Sequence, residues 1–450
     1  MREHLVNKPV RTVSFHTLGC KLNAYDTEWH REQFLDVGYV EVPFGQSADV
    51  TVVNTCTVTG QGDAQSRQML RRAHRASPEG TVVATGCYAQ TDPDALAEMP
   101  EVDLVVGTRE KTRLIELLNS TCSLGRTFVT RSRAADFQDM DIYNFGGRAR
   151  AFVKIQEGCD EFCSFCIIPF ARGRSRSRTL TSTVDQVKRL VDAGYAEIVL
   201  TGVHIGDYAG EDGEPLVDVL EAIDRVPGLG RFRVSSIEAS FVTDAMVEFF
   251  ADSERCCRHL HIPLQSGDDG ILEKMRRPYR SADYVDLLAR LSERIPDLAV
   301  GADVMVGFPG ETDAAFRETL DVVQRTPLVF LHVFPYSPRG TTPASGMPDQ
   351  VPPLVKKARG AELRKLGKAK ADAYQRRFID QTVDVLFENK RDAETGFLHG
   401  LTDTYIRVYA PGPDSARDRI LPVRLESIEA ERMIGRISEV GLRSEELPLS

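Results

Sequence analysis

Between residues 10 and 335, short apolar runs rich in β-branched residues alternate with amphipathic stretches, and this rotation limits the possible folds more than any other feature. Strand and helix signals in turn, with no hairpin signal between them, favour parallel sheets with helices on their faces. In the first part the spans 10–16, 50–54, 81–85 and 103–106 read as buried strands, with helices near 25–37, 64–75, 93–99 and 111–118. Residues 121–148 are polar and Arg-rich and read as a linker. The alternation resumes with strands at 152–155, 197–201, 231–236, 259–263, 300–306 and 329–334. Between them lie helices such as 184–193, with Val184, Val187, Leu190 and Val191 on one face, and 311–324, capped by Thr312. Six such units suggest a barrel or part-barrel. Past Gln381 only β signals remain, at 382–387, 405–410, 421–428 and 433–439, which reads as a small all-β barrel of a kind that handles oligonucleotides. The expected class is α/β: an N-terminal parallel sheet, a central (β/α)6 partial barrel and a small C-terminal β-barrel.

Cys159, Cys163 and Cys166 form a C-x₃-C-x₂-C spacing just after the first strand of the second series. Three thiolates this close grip three corners of an iron–sulfur cube, whereas clusters normally take four cysteines. The spacing therefore predicts a cluster with one open iron. A zinc site is the competing reading, but zinc motifs pair C-x₂-C units or add histidines, and neither follows here. Cys20, Cys56 and Cys87 each end an expected strand. Scattered cysteines are more often buried apolar residues, yet in parallel sheets the ligand crevice lies beyond the carboxyl ends of the strands. That shared placement predicts a second three-cysteine set. Cys122, Cys256 and Cys257 have no such placement and read as structural thiols. His204, His261 and His332 read as hydrogen-bonded core histidines, and the glycines of 301–311 as turn geometry rather than a phosphate cradle.

The length of 450 residues allows two to four domains. A formal charge of −10 excludes a protein that coats nucleic acid with its whole surface. Two local basic segments remain, 170–178 with four arginines and 353–377, whose bland reading is a solvated helix. No apolar run is long enough to cross a bilayer and the start has no secretory core, so a reducing cytoplasm is expected.

A C-x₃-C-x₂-C motif at the mouth of such a barrel resembles the radical S-adenosylmethionine superfamily. The resemblance implies that the open iron chelates the amino and carboxylate groups of the cofactor's methionine, and that one electron releases a 5′-deoxyadenosyl radical. It implies that Phe165 packs near the adenine and that Gly202, Gln265 and Asp303 belong to the cofactor site. The runs Ile168-Pro-Phe-Ala-Arg-Gly-Arg-Ser-Arg-Ser-Arg, Leu200-Thr-Gly-Val-His-Ile-Gly-Asp-Tyr, His261-Ile-Pro-Leu-Gln-Ser-Gly and Val306-Gly-Phe-Pro-Gly-Glu are similar to blocks of the methylthiotransferases. The likeness implies an N-terminal cluster domain at 9–122, a radical core at 145–375 and an RNA-binding TRAM-like domain at 376–442.

Thr17-Leu-Gly-Cys-Lys-Leu-Asn and Asn54-Thr-Cys-Thr-Val-Thr resemble the branch acting on N6-threonylcarbamoyladenosine at tRNA position 37; Thr404 departs from an asparagine common before the tyrosine. The implied cofactors are two [4Fe-4S] clusters, on Cys20, Cys56 and Cys87 and on Cys159, Cys163 and Cys166, with two S-adenosylmethionine molecules per turnover. The first would methylate a sulfur on the N-terminal cluster and the second would supply the radical. The implied partners are tRNA and a reductant such as flavodoxin or ferredoxin, with the sulfur donor unnamed. Arg172, Arg174 and Arg178 are expected to contact phosphates, and Tyr405 with Arg407 to stack on and bind RNA. The rival readings are methylthiolation of isopentenyladenosine or of a ribosomal-protein aspartate, and a non-catalytic iron–sulfur RNA-binding or redox-sensing protein.

Overall fold

The computed structural model describes residues 11–120, 126–130 and 136–438. Cys122 and the first ten residues lie outside them. The chain divides into two compact units, one of residues 1–144, 157–160 and 166–174, the other of residues 145–156, 161–165 and 175–450.

In the first unit, strands β1 (Thr12–Thr17), β2 (Val40–Glu41), β3 (Val50–Thr55), β4 (Thr81–Gly86), β5 (Leu104–Val106) and β6 (Arg126–Phe128) form one parallel sheet. Their order is β2-β1-β3-β4-β5-β6. β3 is buried along its whole length, as a continuous apolar run requires of a strand covered on both faces. Val50 and Val52 point into one core with Val13, Phe34 and Leu117. Val53 points into the opposite core with Leu70, Val82 and Leu96. That split is the period of two along a strand. The crossovers are α1 (Lys21–Asp36), α2 (Gly60–Ala76), α3 (Cys87–Thr91), α4 (Pro93–Ala97) and α5 (Leu114–Ser120). The expected linker is partly structural: β6 pairs with β5, and Met140 and Ile142 are fully buried. The run Thr127-Phe-Val is β-forming inside polar surroundings, which a composition reading averages away.

The second unit carries β7 (Arg150–Lys154), β10 (Glu197–Thr201) and β11 (Arg231–Val234) as one parallel triplet, and β12 (His259–His261), β13 (Ala299–Val306) and β14 (Leu328–Pro335) as another. A parallel bridge between Ser236 and His261 joins them. The result is the expected six-stranded part-barrel. The two-residue strands β8 (Gln156–Glu157) and β9 (Arg176–Ser177) flank in sequence the loop with the cysteine triad, and the short α6 (Ile168–Arg172) follows it within the first unit. Helices α7 (Leu180–Asp192), α8 (Leu216–Asp224), α9 (Asp244–Asp252), α10 (Asp269–Met275), α11 (Ser281–Arg294) and α12 (Asp313–Arg325) alternate with the strands. Thr179, Thr243, Asp268 and the expected Thr312 cap four of them, each accepting a hydrogen bond from a first-turn N–H.

A 24-residue helix, α13 (Pro353–Arg376), covers the basic segment. Its cations are largely engaged: Arg359 with Glu311 and Asp313, Lys368 with Glu431, Lys370 with the carbonyls of Gln324 and Thr326. The segment is thus a helix as the bland reading has it, but one whose cations are largely paired within the protein rather than solvated. Beyond it, β15 (Thr382–Arg391), β16 (Leu398–Thr402), β17 (Arg407–Ala410), β18 (Ile420–Glu429) and β19 (Arg432–Ile437) close into a barrel ordered β15-β16-β17-β19-β18. β16 escapes a propensity reading because Gly400 sits at its centre. A Cβ there would lie 2.3 Å from the Leu386 carbonyl oxygen, so the close strand approach needs glycine.

Candidate functional site

In the first unit β1, β3 and β4 are consecutive neighbours, so Cys20, Cys56 and Cys87 emerge at one carboxyl edge. Asn23 ties two of the turns, donating to the carbonyls of Leu18 (2.7 Å) and Thr55 (3.0 Å). Ser66 accepts from the Cys56 N–H at 3.2 Å. Gly86 has φ +92°, and a Cβ on it would meet Asn54 Oδ1 at 2.3 Å, so the turn before Cys87 admits no side chain. Cys20 is exposed, Cys56 half-buried and Cys87 buried, and all three are free thiols. Burial pushes Cys87 up to about 11, and negative charge on Cys20 and Cys56 adds to the rise. Burial raises Cys56 as well, with Cys20 again opposing its ionisation. A multivalent cationic group would relieve the repulsion that raises Cys56 and Cys87.

Arg172 corrects the sequence reading. Its side chain is buried in the first unit between Asp26, Glu157, Asn23 and Cys87, so it presents nothing to a phosphate. Lys111 joins the same carboxylates, at 3.0 Å from Asp26 and 2.9 Å from Glu157. Burial alone works against the Arg172 charge, but Cys87, Asp26 and Glu157 outweigh it and hold the guanidinium protonated. A phosphate contact needs exposure, and a count of arginines in a basic run does not report it. Arg174 is exposed, paired with Asp160 at 3.1 Å.

In the second unit Cys163 is buried, with Arg277 Nη1 3.2 Å from its sulfur. Arg277 also pairs with Glu238 and lies over the Tyr279 ring. Burial pushes the Cys163 thiol up, against the pull of Arg277. Ser164 anchors the loop, its N–H on the Met275 carbonyl (3.0 Å) and its hydroxyl on that of Lys274 (2.7 Å). Phe165 packs in an apolar cluster with Met305 and Phe308.

Gln265 has φ +61°, a conformation a non-glycine residue holds only when its surroundings impose it. Its backbone N–H is spent on Asp303 O and its carbonyl on Met305 N–H, while its buried Oε1 has no partner among the described residues. Asp303 lies between His261 Nε2 (3.2 Å) and His332 Nδ1 (3.3 Å). Burial would raise its pKa, but the two imidazoles hold the carboxyl well below the usual range. Gly202 leaves room for Gln156, whose Oε1 accepts from the N–H groups of Val203 and His204. His204 Nδ1 accepts from the Asp207 N–H, and its buried Nε2 has no partner among the described residues.

Further expectations are corrected here. Arg178 is buried, its Nε on Ser182 Oγ at 2.9 Å, and so is no phosphate ligand. Tyr405 is no free stacking platform: His259 stacks on its ring at 4.5 Å and Arg233 lies over it at 4.9 Å. Arg407 is exposed, 3.5 Å from Glu388. The Gly307 N–H is taken by the Glu311 carboxylate at 2.7 Å, which fits turn geometry rather than a phosphate cradle. Cys256 and Cys257 are buried thiols raised by burial, as expected of structural cysteines. Sequence reasoning missed Glu238, Arg277, Lys111, Asp26 and Glu157. The position of Glu238 just past the carboxyl end of β11 was the signal available for it.

Comparisons with known proteins agree with this arrangement. The profile described as "Uncharacterized protein family UPF0004" matches residues 12–107, and that of the "Radical SAM superfamily" matches residues 153–323. The solved radical S-adenosylmethionine methyltransferase TsrM from Kitasatospora setae has a TM-score of 0.55 at 18% identity, over 75% of this chain and 77% of that one. The fold is thus that of a radical S-adenosylmethionine enzyme. The threonylcarbamoyladenosine tRNA methylthiotransferase MtaB of Bacillus subtilis is 43% identical over 424 residues, 92% of this chain and 93% of that one. The tRNA-2-methylthio-N(6)-dimethylallyladenosine synthase of Akkermansia muciniphila is 33% identical over 91% of this chain and 95% of that one. The chain belongs to the radical S-adenosylmethionine methylthiotransferase family, in its MtaB branch.

Proposed function

We propose that this protein adds a methylthio group to C2 of N6-threonylcarbamoyladenosine at position 37 of tRNA, with a [4Fe-4S] cluster on each cysteine set. The observation that carries this reading is the pair of three-cysteine sets in a chain 43% identical to a threonylcarbamoyladenosine tRNA methylthiotransferase along almost its whole length. When bound, the clusters and S-adenosylmethionine supply the radical and the sulfur that an inert C–H bond requires.

The chain's own residues position and shield. Cys159, Cys163 and Cys166 would hold one cluster, and Cys20, Cys56 and Cys87 the other. Glu238 and Arg277, beside Cys163, complement the amino and carboxylate groups of an amino-acid cofactor. Phe165 offers an apolar wall for a base. Gln265 Oε1 and Asp303 offer acceptors for hydroxyl or amine donors, and Gly202 keeps the neighbouring loop close. The base must leave its stack to reach a buried site, and the apolar lining excludes water from a reactive radical. Arg174 and Arg407, both exposed, are the remaining phosphate contacts. Such an enzyme works with tRNA in the reducing cytoplasm and takes electrons from a flavodoxin- or ferredoxin-like protein. Among the described residues no helix is long and apolar enough to cross a membrane.

Anaerobic reconstitution with reductant, S-adenosylmethionine and tRNA carrying N6-threonylcarbamoyladenosine tests the reading. The product nucleoside, 2-methylthio-N6-threonylcarbamoyladenosine, is expected by mass spectrometry. Its absence alongside product on isopentenyladenosine tRNA would move the chain to the other substrate. Absence of 5′-deoxyadenosine would remove the enzyme reading altogether.

A further inference from the structure

Arg172 ends α6, six positions after Cys166 in the sequence, and its guanidinium is fully engaged inside the first unit. Nε faces Cys87 Sγ at 3.4 Å. Nη1 reaches Asp26 Oδ2 at 3.1 Å and Glu157 Oε1 at 2.5 Å, and Nη2 reaches Asn23 Oδ1 at 2.5 Å. Lys111 meets the same two carboxylates. Arg172 and Lys111 thus share the two carboxylates, and Arg172 also turns its Nε–H to the Cys87 sulfur. Among the described residues, Arg172 is the cation that donates a hydrogen bond to that sulfur. Burial of an unpaired charge is costly, and a thiolate donating electrons to iron keeps part of that charge on sulfur.

We infer that Arg172 is a positioning residue for the N-terminal cluster, its Nε–H hydrogen bond to Cys87 Sγ stabilising the reduced, more electron-rich state. The inference rests on the proposed cluster at Cys20, Cys56 and Cys87. Hydrogen bonds to cluster sulfurs are one of the protein's levers on reduction potential, and they act by favouring added negative charge. Asn23 Oδ1, 3.9 Å from Cys87 Sγ, is held by Arg172 as well, so the one guanidinium fixes both polar groups beside the sulfur. The segment that supplies Cys166 to one cysteine set therefore also supplies the donor to the other.

The test uses the full chain with Cys159, Cys163 and Cys166 replaced by alanine, reconstituted anaerobically so that only the N-terminal cluster forms. Arg172→Lys keeps the charge without the Nε–H, Arg172→Gln removes the charge, and Lys111→Arg disturbs the same carboxylates away from the sulfur. The expected result is a cluster midpoint potential shifted negative in both Arg172 variants, with an altered electron paramagnetic resonance spectrum of the reduced cluster and an unchanged potential in Lys111→Arg. Loss of iron from the Arg172 variants alone supports the same hydrogen bond. An unchanged potential in both Arg172 variants overturns the inference, as does an equal shift or equal loss of iron in Lys111→Arg, which would mark a merely structural network. If the parent with Arg172 intact assembles no cluster, the cluster reading fails first and takes the inference with it.

Discussion

The two cysteine sets are built by opposite means. Cys159, Cys163 and Cys166 lie within eight residues of one another in the sequence, so a short spacing is all that a shared ligand would ask of them. Cys20, Cys56 and Cys87 are spread over 68 positions and are gathered only because β1, β3 and β4 lie side by side. Strand order can thus do what short spacing does, at the cost of depending on the whole sheet. Each set nevertheless has one buried cysteine facing an arginine that a buried carboxylate holds: Cys163 with Arg277 and Glu238, Cys87 with Arg172 and Glu157.

Removing one cysteine from each set tests the division between them most strongly. Cys163→Ala is expected to bring 5′-deoxyadenosine formation to background. Cys87→Ala is expected to leave that formation and abolish the methylthio product. Chromatography with mass spectrometry reads both, and 5′-deoxyadenosine from Cys163→Ala would dissolve the distinction. One step out, Arg277→Lys or Glu238→Gln should lower product formation by about 10–100-fold, the usual range for residues that support a metal centre, with iron content retained.

The dependence of the N-terminal set on its sheet is tested through stability. Lys111→Met leaves Asp26 and Glu157 short of a cation, and breaking such a buried pair typically costs about 3–5 kcal/mol. Gly86→Ala forces a side chain into a left-handed turn against Asn54, a strain of about 1–3 kcal/mol. Urea unfolding of the cluster-free protein measures both. Equal losses of cluster from the two sets in Gly86→Ala would show that the topological set is no more fragile than the local one.

Acid titration separates the second unit from the first. The folded Asp303 pKa is depressed by His261 and His332, so its stabilising effect is present above the unfolded value, about 3.9, and is lost as pH falls through the folded one. Asp303→Asn should flatten the acid side of the stability profile of the cluster-free protein, and an unaltered acid limb would refute it. The smallest effect is expected from Arg407→Ala, which should weaken tRNA binding evenly across sequences and reduce the slope of log affinity against log salt by about 1.

What the sequence made legible follows the same contrast. Elements with strong periodicity, such as β3 and α12, sit within a few residues of where the pattern places them. The placement of Cys20, Cys56 and Cys87 at one sheet edge was legible from their positions at strand ends, and the strand order bears that placement out. Burial of individual polar side chains was not legible. Arg172 and Arg174 are two positions apart in one basic run, yet one is sealed among carboxylates and the other faces solvent. Tyr405 looked like an exposed aromatic because nothing local in the sequence shows that His259 and Arg233, well over a hundred residues earlier, lie against its ring. Pairings across such separations belong to topology, which periodicity does not encode.

The clamp around Tyr405 has a mechanical consequence. Arg231 and Arg233, both paired with the buried Glu197, donate to the carbonyls of Leu401, Thr402 and Asp403, and the closed barrel shares one apolar core with Ala299, Val329 and Tyr374. These anchors lie at the amino ends of the parallel strands, whereas Gln265, Glu238 and Arg277 belong to their carboxyl ends. The eight residues of β13 alone span roughly 25 Å. The closed barrel is therefore no swinging arm but the fixed end of a ruler. Any group presented by the closed barrel is thereby held at a set distance from the carboxyl ends of the parallel strands.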